Sequence, residues 1–178
     1  MNTGQSLLTL GALIMVSIIS LNFYRANNEI SSSLDFDRFR VEGMAILTSQ
    51  VEQLSQYYFD EITTDTTSSK RLIDMTSPYS LGLEANDSGR VDDIDDLRGM
   101  VVVETGLSGV SYRVLTDVEY VTLSNDQFVF SGSRQYHKRV RVSVYDGYNI
   151  PLIYHIVGED RVKDTLKMSV TISYWFYN

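Results

Sequence analysis

Five aspartates fall within ten residues of this chain: Asp87, Asp92, Asp93, Asp95 and Asp96. A hard cation such as Ca²⁺ takes six to eight oxygen ligands at about 2.3–2.6 Å, and loop carboxylates supply them. The run is therefore a candidate calcium site. Its spacing is not that of an EF-hand, because the glycine and the bidentate glutamate miss the required offsets. The competing reading is a solvated acidic turn, with aspartates capping nearby backbone N–H groups.

Other reactive residue types form no constellation. His137 and His155 both fall in strand patterns, and no third ligand stands near either one, which argues against zinc. No serine or threonine lies in a GxSxG or SxxK context. Gly106-Leu-Ser-Gly109 is too short to cradle a phosphate, lacks a lysine and reads as a turn. Asn86-Asp-Ser88 matches a glycosylation sequon of the kind chance supplies. Cysteine is absent, which excludes disulfides, thiolate metal sites, thiol nucleophiles and lipoprotein anchoring. No nucleophile, base and oxyanion donor can be assembled, so the chain is not expected to be an enzyme.

Aromatic residues cluster at two places, Tyr57-Tyr-Phe59 and Tyr174-Trp-Phe-Tyr177. Either cluster reads as ordinary core. Alternatively Tyr57, Tyr58, Trp175 and Tyr177 face a partner, since Tyr and Trp are common interface anchors. Arg139 and Arg141 share the solvent face of a strand, where they solvate or pair with acidic neighbours.

The elements that must position these residues follow from length and periodicity. The chain has 178 residues, enough for one domain and an additional segment. Fifteen Lys and Arg against 23 Asp and Glu give a net charge of −8. Such an acidic chain is a poor ligand for phosphate backbones, so no nucleic acid is expected as a partner.

The first 24 residues carry no charged side chain, and Leu7 to Tyr24 is almost wholly apolar. About 20 helical residues cross ~30 Å of hydrocarbon. A buried core helix would be apolar along one stripe only. A cleaved secretory peptide would have a basic start and a small-x-small cleavage signal, both absent here. A retained membrane helix over 1–25 is the favoured reading. The positive-inside rule gives it no orientation, since Arg25 follows the helix and nothing basic precedes it.

Residues 26–34 are polar and small, and are expected to loosen the helix. Phe36, Phe39, Gly43, Leu47, Val51, Leu54 and Tyr58 then recur at spacings of three and four. They predict an amphipathic helix over about 36–59, with Asp35 as its N-cap. Residues 60–99 read as an irregular acidic loop. From 100 to 178 the period becomes two, in MVVVET, YRVLTDVEYVTL, QFVF, KRVRVSVYD, PLIYHIV and LKMSVTISYWFYN. Such one-sided strands make an antiparallel sheet covered on one face. The expected class is α+β, with the amphipathic helix on the sheet.

Three motifs in this order resemble the bacterial type IV pilin-like proteins, especially minor pilins and pseudopilins. Met1-Asn-Thr-Gly4 before an uncharged helix is similar to their short leader, with cleavage between Gly4 and Gln5. Val91-Asp-Asp-Ile-Asp-Asp-Leu-Arg-Gly99 is similar to their acidic turn. Tyr136-His-Lys-Arg-Val-Arg-Val-Ser-Val144 is similar to a basic strand with alternating valines. The chain departs from the family in two ways: the leader has no Lys or Arg, and Thr9 stands at the fifth mature position, where the family has Glu.

The resemblance implies a structural subunit whose helix sits in the bacterial inner membrane and then packs in a filament core. The C-terminal domain would be extracytoplasmic, or displayed on an extracellular filament. Partners would be other pilin-like subunits or membrane assembly proteins. Leu7, Thr9, Gly11, Ala12 and Ser17 would line the helix packing surface, the small ones permitting close approach. The alternative is a single-pass anchored binding module that does not polymerise.

Overall fold

A computed structural model describes residues 3–64, 69–83, 90–158 and 160–174. It is α+β: one long N-terminal helix and an antiparallel sheet. The chain divides into two compact units, residues 1–40 and 41–178.

Helix α1 spans Thr3–Gln53. From Leu7 to Leu34 its apolar side chains are exposed, Leu8 at 76% and Val16 at 60%. The helix is long and apolar enough to cross a membrane, as a signal sequence also is. Its hydroxyls bond back to the preceding turn: Thr9 Oγ1 to Gln5 O and Ser6 O, and Ser17 Oγ to Leu13 O. That satisfies them without water. The loosening expected at 26–34 does not interrupt the helix. The segment contains no Pro or Gly, its Asn and Ser residues cost a helix only tenths of a kcal/mol each, and Ser32 Oγ bonds Glu29 O inside the helix. Asp35 is consequently a helix-interior residue and not an N-cap.

In the second unit, α1 buries Gly43 and Leu47. Gly43 sits so close to the sheet that a Cβ would lie 2.9 Å from Leu166 Cδ1 and 3.1 Å from Ile153 Cδ1. The helix ends earlier than the expected residue 59. Leu54–Gln56 forms a 3₁₀ turn and Tyr57 is extended. Tyr58 then pairs in parallel with Asp93, through Tyr58 N to Asp92 O at 3.2 Å and Ile94 N to Tyr58 O at 2.9 Å. This exit drives Phe59 and Asp60 into the interior, both wholly buried.

The main sheet runs β1 (Val101–Thr105), β2 (Ser111–Ser124), β4 (His137–Asp146), β7 (Leu166–Ser173), with every pair antiparallel. Strand β3 (Gln127–Phe130) pairs with the end of β2 through a two-residue turn. In that turn Asn125 and Asp126 take φ of 50° and 61°, the left-handed conformations such hairpins need. Strands β5 (Tyr154–Val157) and β6 (Asp160–Lys163) form a separate hairpin. Sequence periodicity joins PLIYHIV into one strand and misses β6, whose Asp-Arg-Val-Lys has a single apolar residue.

The period of two is realised on the core face. Val140, Val142 and Val144 of β4 are fully buried, opposite Val118, Thr116 and Val114 of β2. The next residue in that column is Lys138, opposite Tyr120 and likewise fully buried. The outer face carries an ion-pair ladder: Arg139 to Glu119 at 2.7 Å, and Arg141 to Glu119 at 3.1 Å and to Asp117 at 3.6 Å.

Candidate functional site

The most unusual chemistry among the described residues surrounds Lys138. Alternation along β4 puts its side chain on the same face as the three valines, so the ammonium is delivered into the core. Each of its three N–H groups finds an acceptor: Phe59 O at 2.6 Å, Asp95 Oδ1 at 2.7 Å and Asp60 Oδ2 at 3.0 Å. The Phe59 ring stands 4.5 Å from Nζ and the Tyr120 ring 5.3 Å away. Both faces favour a cation.

Asp60 is held from the other side by Thr76 N at 3.1 Å and by Thr76 Oγ1 at 3.3 Å. The Tyr120 hydroxyl lies 2.9 Å from Thr76 O and 3.3 Å from Asp60 Oδ2. Burial, and next the charge of Asp60, raise the Tyr120 hydroxyl well above its ordinary range.

Asp95 arrives from the acidic turn, where Ile94 and Leu97 are buried and anchor a 3₁₀ turn. Asp93 Oδ1 accepts Asp95 N at 2.9 Å and Asp96 N at 3.2 Å. Asp96 Oδ2 accepts Asp92 N at 3.2 Å. Burial, and secondly the neighbouring Asp95 carboxylate, push the Asp93 carboxyl up to about 8. The acidic turn at 91–99 and the basic strand at 136–144 thus meet at one point.

Of the five candidate calcium ligands, Asp87 lies outside the described residues. Asp93 and Asp96 serve the turn's own backbone, and Asp95 serves Lys138. Asp92 Oδ1 is buried and has no hydrogen-bond partner among the described residues. No group of three or more His, Asp or Glu side chains among the described residues could hold a metal ion.

A second polar contact lies near the start of the second unit. Glu42 on α1 accepts Ser108 N at 2.7 Å, Ser108 Oγ at 2.5 Å and Tyr112 OH at 2.8 Å. Gly106-Leu-Ser-Gly109 is the β1–β2 turn, closed by Gly109 N to Gly106 O at 2.9 Å. A Cβ on Gly106 would overlap the Glu42 carboxylate, so glycine is what lets the carboxylate reach the turn. Burial, then Glu42, raise the Tyr112 hydroxyl.

The other anticipated residues are dispersed. Gly4, Gln5, Leu7, Thr9, Gly11, Ala12 and Ser17 are all exposed on α1, and a Cβ at Gly4 or Gly11 would meet nothing within 4 Å. Tyr57 is half-buried against the core and Tyr58 is 45% exposed. Trp175 and Tyr177 lie outside the described residues. His137 bonds Ser173 Oγ at 2.7 Å and packs edge-on against Phe128, whereas His155 is exposed on β5.

Sequence reasoning missed Lys138, Asp60 and Glu42. The signal for Lys138 was its parity with Val140, Val142 and Val144. Comparison with known proteins finds no matching family model, no matching curated protein and no matching solved structure.

Proposed function

We propose that the chain is a membrane-anchored structural subunit of a type IV pilus-like or pseudopilus-like assembly. The observation that supports it best is α1 itself. Its first half presents apolar side chains on every side, without a charge before Arg25. In lipid such a surface is satisfied. Outside lipid it needs sister helices, and Gly11, Ala12 and Ser17 permit their close approach. Thr9 would join a neighbour without the buried carboxylate–amine pair of the family, avoiding its desolvation cost. In this reading the helix crosses the inner membrane, the sheet unit is extracytoplasmic, and no catalytic step is involved.

The chain has no cysteine, so Ala12→Cys gives a single thiol. Oxidative cross-linking in native membranes should yield adducts with sister subunits, and shearing should release the protein with filaments. A protein that stays monomeric and wholly membrane-bound would count against the reading.

A membrane-anchored binding module is the second reading, favoured by one feature. An open groove of about 410 Å³ is lined by Leu72, Ile73, Pro78, Tyr79, Gly132 and Arg134, with Tyr79 90% exposed. A Tyr79→Ala variant that loses a co-purifying partner, yet still cross-links through residue 12, separates the two readings.

A further inference from the structure

We infer that Lys138 and Asp95 are the precursors of an intramolecular amide bond, which the folded chain forms without any co-reactant. This goes beyond the proposed function and does not depend on it.

The geometry holds the reactants together in a dry place. Lys138 and Asp60 side chains are 0% exposed and Asp95 3%. Nζ lies 2.7 Å from Asp95 Oδ1, which brings it close to the ~3–3.5 Å attack range from the carboxyl carbon. Effective molarities of about 10⁵–10⁸ M for such fixed pairs offset the mass action of water against condensation. The rings of Phe59 and Tyr120 cover the amine.

Two further carboxyls stand where the reaction needs them. Asp60, 3.0 Å from Nζ, is fixed by Thr76 and can accept a proton. Asp93 lies beside Asp95 and, with its carboxyl pushed up, keeps its own proton near neutral pH. Asp95 is the electrophile because Asp60 is engaged by Thr76 N and Thr76 Oγ1.

The steps balance. A proton passes from the ammonium to the Asp95 carboxylate, leaving an amine and a carboxylic acid. The Nζ lone pair attacks Asp95 Cγ, and the carbonyl π pair moves to oxygen, where the Asp93 carboxyl hydrogen-bonds it. Asp60 takes the surplus proton from nitrogen. The tetrahedral centre collapses, the C–OH bond breaks, and the hydroxyl leaves as water with the proton from Asp60. One amide and one water result, and Asp60 and Asp93 are unchanged.

The test is a peptide map of the full chain, extracted with detergent, purified, denatured and digested with trypsin. The expected product is a branched peptide joining Gln135–Arg139 to Val91–Arg98, lighter by one water than their sum, with fragmentation locating the link at Lys138 and Asp95. Lys138→Arg should lose it completely. Asp93→Asn, which keeps the oxygen that caps Asp95 N, should lose most of it. A wild-type digest with cleavage after Lys138 and an unbranched Val91–Arg98 overturns the proposal. So does a link from Lys138 to the Val41–Lys70 peptide that contains Asp60.

Discussion

Lys138 Nζ lies 2.7 Å from Asp95 Oδ1 across 43 positions of sequence. One contact therefore joins the basic strand to the acidic turn, and through Phe59 O and Asp60 it also holds the chain leaving α1. Three stretches that are distant in sequence are fixed by a single side chain.

Replacing that side chain should be costly. Lys138→Met leaves Asp60 and Asp95 buried with no cation between them, a change expected to cost about 3–5 kcal/mol. Adding Asp95→Asn should recover part of the loss, because one stranded carboxylate is removed and the two sites are coupled. Urea denaturation of the full chain in detergent, followed by circular dichroism, measures both. Equal stability of Lys138→Met and wild type would contradict the arrangement.

Glu42 makes a second prediction. Gly106→Ala forces the Glu42 carboxylate away from Ser108 and Tyr112, and losing charge-assisted hydrogen bonds of this kind costs about 1.5–3 kcal/mol. If Glu42 is the reason, Gly106→Ala in a Glu42→Ala background should cost much less than in wild type.

The Asp93 carboxyl gives stability a pH dependence with a definite sign. Its folded-state value is raised to about 8, against about 3.9 in an unfolded chain. The folded state therefore binds the extra proton, and this stabilising contribution is fully present below about pH 4 and lost as pH rises through about 8. Burial is the larger cause, so the direction survives neutralisation of Asp95. Asp93→Asn should flatten the decline in stability between about pH 5 and 8 relative to wild type, as read by urea titrations across that window.

The apolar half of α1 can be tested by charge. Ile14→Lys places an ammonium in the middle of the uncharged stretch, at a cost of about 2.5–3.5 kcal/mol for a spanning helix. The variant should shift from the carbonate-resistant membrane fraction to the soluble or aggregated one. Full retention in the membrane would argue against spanning.

Much of the architecture was legible because it rests on burial periodicity. The alternating valines of β4 marked the core face, and the absence of charge before Arg25 marked the apolar helix. What failed was local. Asn and Ser residues at 26–34 weaken a helix without breaking it, so α1 runs on. Tyr58 leaves the helix because it pairs with Asp93, 35 residues away, which no local pattern encodes. The site was half legible. Asp95 stood out for its charge, but Lys138 was hidden by the habit of placing lysine in solvent. Its even-numbered position among the valines said otherwise.

The chain has four lysines, and only Lys138 is fully buried. An acylating reagent applied to the native protein would therefore find Lys70, Lys163 and Lys167 and pass over Lys138. The interior carries its own gauge of integrity: the moment at which residue 138 becomes open to labelling, or fails to, tells whether the clasp between strand and turn has let go.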